Sequence, residues 1–223
     1  MQVIFEKREE IAPGIWQYWF RPERPVDFVP GQYTDLHLTG VQNDSRGASR
    51  TFSFTSLPSD PSVTFILKHF GLQSPYKQAL QSLQAGDEAR IDDAMGDLVL
   101  PKDPAMPLVF VAGGIGIASY ASMLQQLSSL REERDIYLFY ALRSRREQIF
   151  RELTSAYPLA SKDIIIAPNR LSAEHIKAST PPEALLYLSG SQTFVEGLRA
   201  DLEALGTPRS QIVFDYFDGY AEL

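Results

Sequence analysis

The sequence contains no cysteine. That one absence excludes disulfides, thiolate zinc sites, a cysteine-ligated iron–sulfur cluster and a cysteine nucleophile. Histidine is scarce: His37, His69 and His175 are the three, far apart along the chain, so no metal held by protein ligands is expected. Redox chemistry here needs a borrowed cofactor. A basic surplus is also missing. Lysine plus arginine number 21 against 28 aspartate plus glutamate, a net charge of −7, whereas a general nucleic-acid binder carries excess positive charge; no nucleic-acid partner is expected. Residues 1–10 (MQVIFEKREE) carry charges where a signal peptide needs an apolar run. The long charge-free stretch, 104–130, is interrupted by Gly113, Gly114, Gly116, Gln125 and Gln126. It reads as a buried strand, a glycine turn and a helix, and not as the ~20 apolar residues of a membrane span. The expectation is a cytoplasmic protein with no transmembrane segment. Internal repeats and low-complexity segments are absent from the sequence as well.

What is present changes texture midway. The 223 residues exceed the usual single-domain size of ~100–150. In the first part, short β-branched or aromatic runs (VIFEKREEI, GIWQYWFRP, QYTDLHLTG, TFSFTSL, VTFILKH, EARIDD) are separated by Gly, Pro and Asp, the pattern of an antiparallel barrel or sandwich. One helix begins after Ser74, where Ser before Pro75 is a good cap and first-turn pair. LPKDPAMP (100–107) reads as a linker. Beyond it, strands and helices alternate: PLVFVA, helix 117–130, DIYLFYAL, helix 146–156, DIIIAP, helix 173–179, ALLYLSG, helix 193–205, IVFDYF. Such alternation predicts a parallel sheet. The expected architecture is an N-terminal antiparallel β barrel (1–102) followed by a C-terminal doubly wound parallel α/β domain of nucleotide-binding type (103–223).

Several local patterns carry chemistry, each with a plainer alternative. Gly113, Gly114 and Gly116 follow a buried strand and open a helix; glycines there let backbone approach a phosphate at a helix N-terminus, or simply allow a tight turn. Arg50-Thr51-Phe52-Ser53 offers a phosphate fork, a stacking ring and a hydroxyl, or an ordinary half-exposed strand. Gly71-Leu72-Gln73-Ser74 is a second candidate anion turn or a capped loop. Ser189 and Gly190 end a strand where open α/β sheets bind ligands. Arg143, Arg145, Arg146 and Arg170 follow strand ends and suit nucleotide phosphates, or are solvated arginines. The C-terminal Phe214-Asp215-Tyr216-Phe217 reads as an edge strand or as an aromatic lid on a flat cofactor.

In order along the chain, these pieces resemble the ferredoxin–NADP reductase superfamily. FVPGQY (28–33), RTFSFTS (50–56), ILKHFGLQS (66–74), LQAGDEARIDDAMGDLVLP (83–101), VFVAGGIGIAS (109–119) and YLSGSQTFVEGLRADLEALG (187–206) are similar to six of its motifs, over nearly the whole chain. The resemblance implies an FAD-binding barrel and an NAD(P)H-binding α/β domain. It implies Arg50 at the flavin phosphate, with Thr51 beside it, Phe52 stacking, and Ser53 near flavin N5. Ile66, Leu67 and Lys68 would line the flavin, and Gly71, Leu72, Gln73 and Ser74 would hold its pyrophosphate. Gly113, Gly114 and Gly116 would hold the nicotinamide dinucleotide. Ser189 and Gly190 would lie beside the nicotinamide, Asp215 near Ser53, and Phe217 near the ring system.

Four positions depart from the family pattern: Phe52 for Tyr, Ser119 for Pro, Ser189 for Cys, and Asp215 for Glu. Arg170, after Asn169, stands where relatives that use NADPH grip its 2′-phosphate, so NADPH is expected over NADH; Arg143 is a further candidate for a cofactor phosphate. With no cysteine there is no iron–sulfur domain within these residues, and electrons are expected to leave to a separate acceptor such as ferredoxin, flavodoxin, or a small-molecule flavin or quinone. A reductase of free flavin, and a non-catalytic flavin-binding electron-transfer or regulatory subunit, are the alternatives.

Overall fold

The computed structural model describes residues 1–69 and 74–217. Its first sheet comprises β1 (Gln2–Ala12), β2 (Ile15–Pro22), β3 (Tyr33–Leu38), β4 (Ser49–Ser53), β5 (Val63–Lys68) and β6 (Glu88–Ile91). All pairings are antiparallel, in the order β4-β3-β6-β1-β2-β5. β3 shows the pattern that drives it: Thr34, Leu36 and Leu38 are buried while Tyr33, Asp35 and His37 are half-exposed, because successive strand side chains point to opposite faces. Just past β4, the amide of Thr55 donates to the carbonyl of Thr64 at 2.9 Å, and the two threonine hydroxyls lie 2.7 Å apart. The edge strands β4 and β5 thereby meet, and the sheet curls into a barrel around Phe5, Tyr18, Phe20, Phe54 and Phe65. Helix α1 (Pro75–Ser82) covers one end. Ser74 caps it by accepting from the amide of Lys77 at 3.3 Å, and Tyr76 plugs into the barrel, donating its hydroxyl to the carbonyl of Leu36 at 2.8 Å.

The second sheet is parallel: β7 (Leu108–Gly113), β8 (Ile136–Leu142), β9 (Ser161–Ile166), β10 (Leu185–Ser191) and β11 (Ile212–Phe217), ordered β11-β10-β7-β8-β9. Around it lie α2 (Ala118–Leu130), α3 (Leu153–Ala156), α4 (Ala173–Ser179) and α5 (Gln192–Ala204). β7 is central, and Leu108 to Ala112 are fully buried, which explains its unbroken apolar run. The chain winds outward through β8 and β9, then returns to β10 on the other side of β7. Open sheets hold ligands at such a reversal, outside the strands' carboxyl ends.

The helix expected over 146–156 is not continuous. A 3₁₀ turn at Arg145–Glu147 is followed by an extended stretch, and only Leu153–Ala156 is α-helical. Ile149 is drawn into the core and Phe150 takes a left-handed φ of 54°, which interrupts the helical ladder.

The two sheets share buried surface. Ile15, Ile66 and Leu98 pack in one apolar cluster with Leu108, Phe110 and Met123. The amide of Gly31 donates to the Ser122 hydroxyl at 3.0 Å, and Gln125 Nε2 to the Thr55 carbonyl at 2.7 Å. Gly31 has φ +101°, and a Cβ there would sit 2.0 Å from the carbonyl oxygen of Leu98, so this contact requires glycine.

Candidate functional site

Two cavities open beside the carboxyl ends of the parallel sheet. The larger, about 660 Å³, lies between barrel and sheet and is lined by Arg50, Thr51, Phe52, Ser53, Ile66 and Leu67 of the barrel, Ser74 to Lys77 of α1, and Phe214, Asp215 and Tyr216 of β11. The smaller, about 440 Å³, is lined by Gly113, Gly114, Arg143, Arg170, Gly190, Ser191 and Phe194. Ile115 and Lys77 line both. Both volumes fall within the ~300–1,000 Å³ of small-molecule sites.

One end of the larger cavity is cationic. Arg50 Nη2 donates to Asp44 Oδ1 at 2.6 Å, and Nη1 donates to the carbonyls of Ser49 and Gly47 at 2.6 and 3.0 Å. The guanidinium also lies over the Tyr76 ring, 4.8 Å from its centre. Burial alone would raise the Asp44 carboxyl, but amide hydrogen bonds from Tyr76 and Arg46 and the Arg50 guanidinium hold it down at about 2. Lys77 Nζ donates to the Lys68 carbonyl at 3.1 Å. Burial lowers the Lys77 pKa, and the nearby positive charges of Arg50 and Arg46 lower it further.

The other end carries hydroxyls and carboxylates. Ser53 and Ser119 Oγ lie 3.1 Å apart, and Ser119 and Ser189 Oγ 3.0 Å apart. All three residues are almost fully buried. Strand register puts Ser189 beside Asp215 and Ala112. Tyr33 faces the same space; its phenol is raised by burial and then by the charges of Asp215, Asp35 and Asp97.

The sequence-predicted residues distribute as follows. Arg50, Thr51, Phe52, Ser53, Ile66, Leu67, Ser74 and Asp215 line the larger cavity. Phe52 is only 5 % exposed and packs on Phe65 and Tyr76. Lys68 lines the smaller cavity instead, where its Nζ pairs with Glu147 Oε2 at 2.9 Å. Gly113, Gly114, Gly190, Arg143 and Arg170 line the smaller cavity. Gly114 has φ +58° and open space where a Cβ would project. Gly116 lines neither cavity: a Cβ there would sit 2.2 Å from the Ser189 carbonyl oxygen, so it allows the turn to touch β10. Ser189 also lines neither, its hydroxyl being turned toward Ser119. Gly71, Leu72 and Gln73 lie outside the described residues; Phe217 ends β11, and its side chain is likewise not described.

Sequence reasoning missed Lys77, Ile115, Asp44, Tyr33 and Glu147. Lys77 stood in the first turn of a capped helix and Tyr33 at the end of FVPGQY, which were usable signals. Asp44 and Glu147 gave none, since their partners are met only on folding.

The residues present suit a flavin dinucleotide and a nicotinamide dinucleotide. A chain of net charge −7 gathers Arg46, Arg50 and Lys77 on one cavity wall, the donor set for a diphosphate. Gly114 leaves its space open beside two arginine-bearing loops. Among the described residues, no group of side chains could hold a metal ion and no helix is long and apolar enough to cross a membrane.

The six-stranded antiparallel barrel followed by a five-stranded parallel sheet is the two-domain fold of ferredoxin–NADP reductase-like proteins. The FAD/NAD-binding domain of a nitric oxide dioxygenase from Vibrio cholerae superposes with a TM-score of 0.79 at 18 % identity, covering 97 % of this chain and 98 % of that one. Ferredoxin-NADP+ reductase from Plasmodium falciparum, solved with 2′P-AMP, gives a TM-score of 0.80 at 13 % identity, covering 97 % and 95 %. No protein-family model matches the chain. Among curated proteins, it is 26 % identical over 231 residues to the reductase component of propane 2-monooxygenase from Rhodococcus jostii, covering 94 % of this chain and 61 % of that relative. The chain therefore spans about three-fifths of the length of such relatives. Other relatives are named as flavohemoproteins and as an electron transfer component of a dioxygenase, such as that of toluate 1,2-dioxygenase from Pseudomonas putida, 24 % identical over 205 residues and covering 85 % of this chain and 59 % of that relative.

Proposed function

We propose that this chain is an NAD(P)H-dependent flavoprotein reductase. FAD occupies the larger cavity, walled mainly by the barrel domain (residues 1–102) and the end of β11, and NAD(P)H the smaller cavity, walled mainly by the α/β domain (residues 103–223) with Lys68 and Lys77. The observation that carries this reading is adjacency: the two cavities adjoin, with Ile115 and Lys77 lining both, so two cofactors held there lie next to one another. Relatives named as reductase and electron-transfer components support it. Flavin held there would supply a hydride acceptor for nicotinamide and a carrier that releases electrons singly or in pairs.

The chain's residues bind and orient. Arg50, Lys77 and Ser74, with Gly71, Leu72 and Gln73, hold the flavin diphosphate. Phe52, Ile66 and Leu67 supply its apolar wall. Ser53 and Asp215 line the end of that cavity where the flavin ring would lie, and Phe217 is proposed as a further residue near the ring. Gly113 and Gly114 approach the nicotinamide dinucleotide. Ser119 keeps Ser53 and Ser189 in register across the sheets, and Gly116 and Gly190 let the loops pack at the nicotinamide side. Much of the rate comes from this positioning. Arg143 and Arg170 favour NADPH by offering two cations at the smaller cavity. The acceptor is a separate molecule.

The test is anaerobic. Purified protein with FAD loses its visible flavin absorbance on adding NADPH. No loss with either nicotinamide cofactor overturns the assignment. Arg170→Ala raises KM for NADPH more than for NADH; equal changes overturn the NADPH preference. A second reading, in which flavin is an exchangeable substrate, is favoured by one observation: Arg50 is already neutralised by Asp44 and bound to its own loop's carbonyls. FAD lost on gel filtration, with activity restored by free riboflavin, selects that reading.

A further inference from the structure

Among the described residues, five large apolar side chains are more than a third exposed: Val29, Met95, Leu130, Leu205 and Phe214. Phe214 lines the larger cavity itself, and Val29 and Met95 stand on the two segments that meet at Gln32 and Tyr33 beside it. Val29, 52 % exposed, is tied to Gln32, whose side-chain oxygen accepts from the Val29 amide at 2.8 Å and whose Nε2 donates to the Gly96 carbonyl at 3.2 Å. Met95, 38 % exposed, is pinned by two backbone hydrogen bonds with Tyr33, at 2.9 and 2.8 Å. Tyr33 itself lines the cavity. Both are therefore carried on backbone hydrogen-bonded to Gln32 or Tyr33, and Tyr33 faces the proposed flavin site.

Carboxylates outnumber cations around this pair. Segments 23–29 and 92–97 carry five carboxylates (Glu23, Asp27, Asp92, Asp93, Asp97) and one cation, Arg24. The neighbouring Arg90 and His37 side chains both pair with Asp92. Tyr33 feels Asp215, Asp35 and Asp97, all of which raise its phenol after burial has done so. The cations that line the cavity, Arg46, Arg50 and Lys77, gather at the helix α1 end with Asp44. An exposed apolar centre inside a polar rim is the anatomy of a protein docking face, and a net acidic rim selects a partner of the opposite charge and speeds encounter.

We propose that the Val29–Met95 rim is the docking face for a cationic one-electron acceptor protein. The inference rests on the reductase reading above and assigns its acceptor class. An acidic ferredoxin or flavodoxin is repelled by the same carboxylates. The step balances as one NAD(P)H giving two electrons to two acceptor molecules, with NAD(P)+ and one proton released.

The probes are cytochrome c, a cationic haem protein, and ferricyanide, a small anion that needs no docking face. The FAD-loaded protein reduces cytochrome c with a kcat/KM that falls at least tenfold between low salt and ~0.3 M salt. Asp93→Asn with Asp97→Asn lowers it about tenfold, and Met95→Ser with Val29→Ser lowers it several-fold at every salt concentration. Ferricyanide reduction is unchanged by either pair. The control pair Glu133→Gln with Asp135→Asn, beside the amino end of β7 away from both cavities, leaves cytochrome c reduction unchanged. Equal rates for wild type and the rim variants, or equal losses in the control pair, overturn the proposal. If ferricyanide is not reduced at all, the reductase reading has failed, and calorimetric binding of cytochrome c at low salt decides the face by itself: binding weakened by the rim variants supports it, and binding indifferent to them overturns it.

Discussion

The hydroxyls of Ser53 and Ser119 lie 3.1 Å apart across the boundary between the two sheets, and Ser119 reaches on to Ser189 at 3.0 Å. The three serines form a buried chain from the larger cavity to the carboxyl end of β10. In such a place an unpaired hydroxyl costs about 1–3 kcal/mol. Ser119→Ala removes the middle member and deprives both neighbours. Urea denaturation is expected to show a loss of that size. An unchanged midpoint means the hydroxyls find other partners.

Gly116 and Gly114 separate cleanly by space. A methyl on Gly116 meets backbone, the Ser189 carbonyl oxygen at 2.2 Å, which has no flexible end to give way. Gly116→Ala is expected to cost more than ~3 kcal/mol, the range of severe packing defects, read as a large fall in Tm. A methyl on Gly114 enters open space at φ +58° and costs about 1–2 kcal/mol of backbone strain. Because that space is the smaller cavity, Gly114→Ala raises KM for NAD(P)H while flavin content stays at the wild-type level.

Asp44 gives the fold an acid limit. Its folded pKa, about 2, is depressed from 3.8. A depressed carboxyl contributes stability that is fully present above its unfolded pKa and lost as pH falls through the folded one. Stability of the loop around Arg50 is therefore constant above pH ~4 and declines from there toward ~2. Asp44→Asn is expected to flatten that part of the stability–pH curve in denaturant titrations. A curve of wild-type slope removes Asp44 from the account.

Lys77 lines both cavities. Lys77→Met keeps the stem and removes the charge, and is expected to weaken FAD binding about tenfold and to raise KM for NAD(P)H several-fold, the scale of one charge-assisted contact. Flavin fluorescence titration checks the first and initial rates the second. Since burial lowers its pKa, wild-type FAD affinity falls as alkaline pH neutralises Lys77, and the variant lacks that fall.

Much of the fold was legible because it rests on periodicity. Alternation in YTDLHL and the unbroken LVFVA predicted a half-buried and a doubly covered strand, and both form. Ser74 before Pro75 predicted a capped helix, which forms as well. The stretch 146–156 misled because its local pattern suits a helix, while the core draws Ile149 inward and turns Phe150 left-handed. The glycine turn after β7 was visible as a motif, but its spacing alone did not separate Gly114, which faces open space, from Gly116, which packs on β10.

The amino-acid sequence alone determined the two textures, the order of strands and helices, the acidic balance and the want of any cysteine for thiol chemistry, since these depend on composition and on neighbours along the chain. Only the tertiary structure decided that Ser53, Ser119 and Ser189 join, that Lys68 leans to Glu147, and that Lys77 borders both cavities. Those contacts link residues up to 79 positions apart. Their distances are set by how the barrel closes and how it packs on the parallel sheet, which no local pattern encodes.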